Sequence, residues 1–384
     1  MVWWILGLSA AYAVALNGTV VMPLVVLSIS KLAGYDEGLA TIVASAELAG
    51  IAIYGIFFPR LARRSWKAVA SAGLLAVIIG EAASFYLNAP GPLASARLVT
   101  GLGEGAIFSV VSINLASLAD AERLWGALSL IGGVAMGALL FFVSLLPDNQ
   151  IGAAVFWMLA GFAAVMAPLF LLIGKRSRKL ATAPHHSRLG RAKMLQAMIV
   201  VFLVYAVQAA QWALCGYVGE RLRMSNGEIG FYLAASSLVG FFGAVVPSMT
   251  RDKAKRLPAV LIGFLIMAVS IYCFFNIFTP VVFVTAQVFV NIGFYIATPF
   301  ITGILTENDP DGSIMSRTLV IAIVGAASGT AVAGPIFESA GAAAFGWSCL
   351  LPLALAAVFG SVVFGHLHRN IRLLPDAEAV EQNI

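Results

Sequence analysis

The chain has 384 residues, of which 61% are hydrophobic and only 11% are charged, whereas soluble domains carry about 25% charged residues. This number of charged residues is too small to cover a surface that faces water. The composition therefore excludes a soluble globular protein and indicates an integral membrane protein. The formal net charge of +5 does not indicate nucleic-acid binding, because the basic residues fall in loops on one side of the predicted spans.

Apolar segments of about 20 residues, the length of a membrane-spanning helix, recur along the whole chain with short polar connections between them. They are longer than the alternating strands of a membrane barrel. We therefore predict an all-α integral membrane protein with twelve transmembrane helices. The predicted helices cover residues 2–30, 38–58, 66–88, 91–118, 122–146, 150–174, 194–222, 227–249, 257–278, 280–305, 313–338 and 343–368.

The distribution of basic residues predicts the orientation of these helices. With the N-terminus in the cytoplasm, nineteen Lys and Arg residues lie on the cytoplasmic side and three, Lys31, Arg221 and Arg223, on the opposite side. The positive-inside rule therefore places both termini in the cytoplasm. The first segment has no basic stretch before it, which predicts a retained spanning helix rather than a removable signal peptide.

The first three predicted helices contain few polar side chains. Tyr12 and Asn17 lie in the middle of the first helix, Glu47 in the second and Glu81 in the third. A charge within hydrocarbon costs at least about 2.5 kcal/mol and is by default a functional-site hypothesis. Counted along their helices, both acids fall towards the outer leaflet. The second helix ends in a glycine followed by a basic loop, with Gly55, Pro59, Arg60, Arg63 and Arg64 in that order.

The fourth predicted helix carries both Arg97 and Glu104. They share one face of the helix about two turns apart, and Glu104 is close to the membrane midplane, where an unpaired carboxylate is too costly to stay ionised. We predict Glu104 as the proton carrier, with Glu47 as the next candidate. Glycines at positions 101, 103 and 105 predict open, intermittently wet space around Glu104.

Arg97 has two interpretations. Either Glu47 or Glu81 is its structural counter-charge, in which case one of the two acids is sufficient. Alternatively, its guanidinium receives a carboxylate of the substrate, for which its two parallel donors are well shaped.

A basic stretch at residues 175–193 separates two sets of six predicted helices, and we interpret it as a solvated linker at an anionic leaflet rather than as a metal site. The predicted organisation is an N-terminal six-helix bundle at 1–174, the linker, a C-terminal six-helix bundle at 194–368 and a cytoplasmic tail at 369–384. The halves echo each other, because Gly243 and Pro247 end the eighth helix as Gly55 and Pro59 end the second. Such repeats are typical of two-bundle transporters.

The C-terminal half has amides and aromatic residues where the N-terminal half has charges. They occur at helical spacing on one face of the seventh and the tenth predicted helices. The seventh helix contains Tyr205, Gln208, Gln211 and Trp212, and the tenth contains Gln287, Asn291, Tyr295, Thr298 and Thr302. These residues either bind a substrate or form hydrogen bonds that hold neighbouring helices together.

Arg97 is followed by glycines at the fourth and eighth positions, and its apolar helix leads to a loop with Asp120 and Arg123. This pattern resembles the fourth-helix signature of the major facilitator superfamily. The basic loop after Gly55 is similar to the family's second signature, in which an aspartate stands where this chain has Pro59. The fifth helix has Gly132, Gly133 and Gly137 but lacks the proline of the family's antiporter signature, which slightly favours symport.

The resemblance implies that helices one, four, seven and ten surround a central cavity. It thereby implies a substrate site of Arg97, Tyr12, Asn17, Gln208, Gln211, Trp212, Gln287, Asn291 and Tyr295. It also implies a cytoplasmic gate formed by Gly55, Arg60, Arg63, Arg64, Asp120 and Arg123, although Pro59 puts the strength of that gate in question. Glycines 325, 329 and 334 in the eleventh helix predict close helix packing.

The sequence contains no enzyme motif and no phosphate-binding loop, so we predict no enzymatic activity, no cofactor and no metal. The predicted function is secondary active transport of a small organic solute across a bacterial plasma membrane by a monomer. The cargo is expected to be an organic anion or an amphipathic or aromatic metabolite, taken up in symport with protons. The alternatives are a proton-driven exporter of hydrophobic compounds and a non-transporting sensor that retains the fold.

Overall fold

The structure is a computed structural model, and it describes residues 2–116, 121–146, 151–173, 190–250, 255–307 and 313–372. All regular elements within these ranges are helices. The α-helices of the first half are α1 (Val2–Ala15), α2 (Asn17–Ala33), α3 (Glu37–Phe57), α4 (Pro59–Arg64), α5 (Trp66–Tyr86), α6 (Pro90–Ala116), α7 (Ala121–Ser144) and α8 (Ile151–Met166). Those of the second half are α9 (Arg191–Ala213), α10 (Cys215–Arg221), α11 (Asn226–Gly240), α12 (Val245–Met249), α13 (Arg256–Asn276), α14 (Pro280–Glu307) and α15 (Ser313–Arg372).

Ten helical stretches of the described chain are long and apolar enough to cross a membrane. The last of them, residues 317–365, is bent at Gly341, whose backbone leaves the helical region with a φ of 83°. A shorter apolar helix, Ile131–Val143, lies within α7. The protein is therefore an all-helical, multi-pass membrane protein with about ten to twelve apolar helices, as the hydropathy pattern predicts. The predicted connection between residues 338 and 343 is replaced by this bend.

Three predicted spans divide into separate α-helices. The eighth consists of α11 and α12 with a short 3₁₀ helix, Phe241–Ala244, between them, and the first and the seventh are broken at single residues. The first divides at Leu16 (φ −127°, ψ 8°) into α1 and α2. Asn17 Oδ1 accepts the N–H of Gly18 at 2.7 Å, a local bond that competes with the helical pattern, and glycine is a poor helix former. The seventh span divides at Leu214 (φ −92°, ψ −3°) into α9 and α10.

Matched pairs of glycines bring helices of each half together. The Cβ position of Gly73 on α5 is 2.8 Å from the carbonyl oxygen of Gly103 on α6, and that of Gly263 on α13 is 2.8 Å from the carbonyl oxygen of Gly293 on α14. The reciprocal distances are 2.5 and 2.6 Å. A side chain at any of these positions would therefore force the backbones apart. The two halves thus share one pattern of close glycine packing. Arg97 precedes Gly103 by the same number of residues as Gln287 precedes Gly293, so Arg97 and Gln287 occupy corresponding positions.

Close packing is also present where the sequence predicts it in α15. The Cβ positions of Gly325 and Gly329 lie against the backbone oxygens of Phe202 and Ala206 on α9. That of Gly334 lies against the backbone oxygen of Glu37 on α3. The prediction for these three glycines is confirmed, and Gly334 makes its contact across the two halves of the chain.

Candidate functional site

A buried ion-pair cluster joins three helices of the first half. Arg97 on α6 donates from Nη1 to Glu81 Oε2 on α5 at 2.7 Å and from Nη2 to Glu47 Oε2 on α3. All three side chains are fully buried, and the guanidinium carbon of Arg97 lies 5.4 Å from the centre of the Phe156 ring on α8. The prediction that one acid would pair with Arg97 is therefore wrong, because the two terminal nitrogens of the guanidinium take one acid each.

Glu104 lies beside this group, at the break in the first span. Its Oε1 is 3.4 Å from the backbone nitrogen of Gly18, at the start of α2, and its carboxyl interacts electrostatically with Glu47, Glu81 and Arg97. A methyl group on Gly18 would overlap the carboxyl of Glu47. Glu47, Glu81, Arg97 and Glu104 are called the acid cluster below.

The glycines around Glu104 do not leave open space. The Cβ position of Gly101 lies against the backbone oxygen of Glu47, and that of Gly105 is 2.9 Å from the backbone oxygen of Ile51. Both contacts are with α3. Because these glycines let α3 and α5 approach α6 closely, Glu104 is fully buried. The expectation of a wet cavity around this carboxyl is wrong for the conformation described.

The acid cluster combines three carboxyl groups with one guanidinium. Within the described residues, Glu47 Oε1, Glu81 Oε1 and Glu104 Oε2 have no hydrogen-bond partner. A buried and uncompensated charge costs several kcal/mol, so a cluster with three ionised carboxylates and one arginine is unfavourable. This arrangement can bind protons, and the free oxygens are atoms that can hold them.

An amide cluster occupies the corresponding place in the second half. Gln211 Nε2 donates to Gln287 Oε1 at 2.7 Å, and Gln208 Nε2 donates to Asn291 Oδ1 at 3.1 Å, so two pairs link α9 to α14. Cys215, at the break between α9 and α10, lies 3.1 Å from Gln211 Nε2. Gln208, Gln211, Gln287 and Asn291 are called the amide cluster below.

Aromatic side chains lie next to the amides. Tyr205 packs edge-on against Phe294 with ring centroids 5.2 Å apart, and Tyr295 packs against Phe241 at 4.7 Å. Tyr12 of α1 interacts electrostatically with both tyrosines, and Trp212 Nε1 donates to the backbone oxygen of Val20 on α2 at 3.2 Å. Tyr12 of the first half therefore lies near Tyr205 and Tyr295 of the second half, and Trp212 connects the halves separately through Val20.

Asn17 lies at the break in the first span, where its Oδ1 accepts the N–H of Gly18 next to the acid cluster. Among the described residues, no hydrogen bond joins it to the amide cluster. Arg97 is fully buried, and its contacts among the described residues are with Glu47, Glu81 and Phe156. Its two terminal nitrogens are bonded to acids, which favours the structural interpretation of Arg97 over the substrate-binding one.

Polar contacts join the two halves at the end of the molecule that contains Lys31. Lys31 Nζ is 2.6 Å from Glu220 Oε1, and the Gly38 N–H donates to Glu338 Oε2 at 3.1 Å. The Gly334 N–H donates to Thr41 Oγ1 at 3.2 Å.

A packing contact between the halves lies at the same end, where Gly216 of α10 lies against Pro23 and Leu27 of α2. This packing contact and the polar contacts between the halves, together with the 3.8 Å pair of Arg221 and Glu37, are called the latch below.

The residues of the predicted cytoplasmic gate are described only in part. Gly55 approaches α15, since its Cβ position is 3.1 Å from Val320. The predicted basic loop is a short helix, α4, on which Arg60 and Arg64 are exposed. Asp120 and the side chains of Arg63 and Arg123 lie outside the described residues, so the gate stays a prediction.

Several residues of the site were not singled out from the sequence. Gly18 follows Asn17 directly, and the Asn-Gly dipeptide in the middle of an apolar segment is a turn signal that could have located the break. Cys215 lies within hydrogen-bond distance of Gln211 and Gln287 of the amide cluster and is followed by Gly216 at the second break. Glu338 and Phe156 have no signal in the sequence, because their roles depend on contacts between distant helices.

The structure resembles solved transporters over nearly its whole length. A bacterial homologue of the human lysosomal transporter Spinster has a TM-score of 0.73 and 14% identity, and the match covers 96% of this chain and 97% of that one. A D-xylose–proton symporter has a TM-score of 0.71 and 17% identity, with 93% and 96% covered. The human organic anion transporter MFSD10 has a TM-score of 0.64 and 13% identity, with 93% and 99% covered.

At these identities the structural similarities establish the fold alone. Comparison with curated protein sequences finds no significant match. The family model of the Major Facilitator Superfamily matches residues 7–314, which is most of the chain. The chain thus has the family and fold of membrane transporters, and it belongs to the Major Facilitator Superfamily.

Proposed function

We propose that this protein is a secondary active transporter that takes up a small organic solute in symport with protons, by alternating access across a bacterial plasma membrane. The observation that carries the proposal is the acid cluster, where three carboxyl groups and one arginine are buried at the break in the first span. The similarity to a D-xylose–proton symporter supports it. The proposal includes twelve crossings, both termini in the cytoplasm, a monomer, and bundles at 1–174 and 194–368 joined by the 175–193 linker.

The first step of the proposed mechanism is proton binding by Glu104 and Glu47. Each of these acids has one carboxyl oxygen near Gly18, at the N-terminus of α2. The N-terminus of a helix carries a partial positive charge and stabilises an ionised carboxylate. Protonation weakens this attraction, so the two states of the acids favour different positions of α2 relative to α6.

The second step is the transmission of this change along α2. The helix begins beside the acid cluster. The backbone oxygen of Val20 accepts a hydrogen bond from Trp212 Nε1, and Lys31, near the end of the helix, pairs with Glu220. With Leu16 as a hinge, a displacement of its N-terminal end changes both contacts with the second half. We propose that the latch closes the extracellular side in this structure and opens when the proton on Glu104 is exchanged.

The proposed role of Arg97 is to hold Glu47 and Glu81 in place. The expected organic-anion cargo depended on a free guanidinium, and the proposal therefore gives Arg97 no part in substrate binding. The substrate site proposed here contains the amide cluster with Tyr12, Tyr205, Trp212 and Tyr295. The predicted gate of Gly55, Arg60, Arg63, Arg64, Asp120 and Arg123 is proposed to close the cytoplasmic side.

Proteoliposomes test this proposal. A panel with a pentose, a ribonucleoside and an aromatic carboxylate is offered under an imposed pH gradient, while a trapped pH-sensitive dye reports proton movement. Symport predicts that one solute accumulates as protons enter with it. Proton movement opposite to the solute would support the exporter. Absence of flux for a solute that binds would support the sensor.

A further inference from the structure

We propose that the transported solute is an electrically neutral molecule with several hydroxyl groups, which the amide cluster of α9 and α14 recognises. The inference rests on the proposed transport function and names the substrate class of the same site. It replaces the organic anion expected from the sequence. Three properties of the membrane-embedded region support it, namely its charge, the free groups of the amides and their spacing.

The first property is the charge. Between the terminal turns of the candidate spans, the described residues include one basic side chain, Arg97. Both terminal nitrogens of its guanidinium are bonded to carboxylates, and the side chain is fully buried. An anionic solute at the amide cluster would find no cation there, and its negative charge would be desolvated without compensation.

The second property is the set of groups that the amide pairs leave free. Among the described residues, Gln208 Oε1, Gln211 Oε1, Gln287 Nε2 and Asn291 Nδ2 are buried and have no hydrogen-bond partner. Each pair therefore presents one free carbonyl oxygen and one free amino group. The oxygen and nitrogen of an amide side chain can be assigned in either of two orientations. If both amides of a pair are turned over, the hydrogen bond between them runs in the opposite direction, and the pair still has one free carbonyl oxygen and one free amino group.

A hydroxyl group matches such a pair, because it donates one hydrogen bond and accepts others. A carboxylate can only accept and an ammonium group can only donate, so each satisfies one member of the pair and leaves the other unpaired. A buried polar group without a partner is unfavourable, because it has lost its hydrogen bonds to water. The amide pairs thus favour a neutral hydroxyl over either charged group.

The third property is the spacing. Gln208 and Gln211 are one turn apart on α9, and Asn291 and Gln287 are one turn apart on α14, so the two pairs are separated by about 4.5–6 Å along the helices. This separation fits hydroxyl groups on different carbons of one small skeleton. The partly buried rings of Tyr205, Tyr295 and Trp212 provide apolar faces for the carbon side of such a molecule.

Binding of two matched probe families to the purified protein tests the inference. The first family is xylitol, xylonate and 1-amino-1-deoxyxylitol, which share a skeleton and differ in charge, and the second is uridine and uridine 5′-monophosphate. Thermal shift and competition binding give the affinities. We expect the neutral member of at least one family to bind at least about tenfold more tightly than its charged partners. Tighter binding of a charged member, or no binding of either neutral probe, would overturn the inference.

Variants connect the selectivity to the amides. Gln287→Met keeps the length of the side chain and removes the amide, and we expect it to weaken the neutral probe about tenfold or more. Gln208→Met provides a second test at a partly buried position if the first variant does not fold. Gln196→Met, on α9 but outside the amide pairs, is the matched control and should bind normally. Unchanged affinity in both Gln287→Met and Gln208→Met would contradict the assignment.

The outcome is separable from that of the proposed function. Accumulation of a charged probe with protons would support symport and refute the neutral substrate. Selective binding of a neutral probe without proton-linked flux would support the substrate class and refute symport.

Discussion

The backbone nitrogen of Gly18 lies 3.4 Å from Glu104 Oε1, so the N-terminus of α2 faces the carboxyl that the sequence predicts as the proton carrier. This contact joins the break in the first span to the acid cluster. The other end of α2 carries the Lys31–Glu220 ion pair between the two halves. One helix therefore connects a group that can bind a proton with the latch, which is proposed to close one side of the protein.

Removal of the arginine tests the charge balance of the acid cluster. Arg97→Ala leaves Glu47 and Glu81 buried without a cation, and breaking a buried pair in this way typically costs about 3–5 kcal/mol. Thermal unfolding in detergent should show a large loss of stability that becomes smaller at acidic pH, because protonated acids no longer need the cation. Arg191→Ala, at an exposed position at the start of α9, is the control. A pH-independent loss would contradict the ion-pair assignment.

Glycine packing predicts a second difference in stability. Gly101→Ala should be strongly destabilising, since its Cβ would overlap the backbone oxygen of Glu47 and overpacking typically costs about 1–3 kcal/mol or more. Gly91→Ala, at the exposed start of the same helix, has no neighbour within 4 Å of the new Cβ and should be neutral. The comparison is made by thermal unfolding of the purified variants. Equal stability of the two would show that α3 and α6 do not pack as described.

The latch predicts a conformational response. Lys31→Glu should weaken closure at the Lys31 end, and Glu220→Lys added to it should restore closure by exchanging the charges. Each side chain in the pair is 35% exposed, so the expected effect is only about 0.2–1 kcal/mol. Distances between spin labels at Ala33→Cys and Arg223→Cys report the two populations. No lengthening in the single variant, or no recovery in the double variant, would remove this pair from the gate.

The distribution of basic residues predicts the topology. A cysteine at position 187, in the predicted linker, should be inaccessible to an impermeant thiol reagent in intact cells. A cysteine at Asn88, an exposed position between α5 and α6, should react. Labelling at position 187 from outside would reverse the orientation, and the latch would then lie on the cytoplasmic side.

The sequence predicts the helical membrane fold well because hydropathy depends on local composition. The breaks at Leu16 and Leu214 were missed because hydropathy averages over a window that Asn17 or Gly216 hardly changes. The family itself could be recognised from Arg97, the glycines that follow it and the basic loop after Gly55, because these residues are adjacent in the chain.

The contacts within the acid cluster could not be predicted from residues that are adjacent in the sequence. Which acid pairs with Arg97 depends on how closely α3 and α5 approach α6, and the glycines at 101, 103 and 105 were expected to leave space rather than to close it. The same spacing of glycines is compatible with an open cavity and with close helix packing. Only the positions of Glu47 and of the neighbouring backbones distinguish these two arrangements.

The central claim is that Glu104 holds a proton within the acid cluster and releases it as α2 moves. Difference infrared spectroscopy of the purified protein during a pH titration detects the carbonyl stretch of a protonated buried carboxyl group directly, and it needs no known substrate. We predict that the native protein shows such a titrating band and that Glu104→Gln, which keeps the size of the side chain but cannot titrate, loses it. An identical band in Glu104→Gln, or no titrating buried carboxyl in the native protein, would contradict the account.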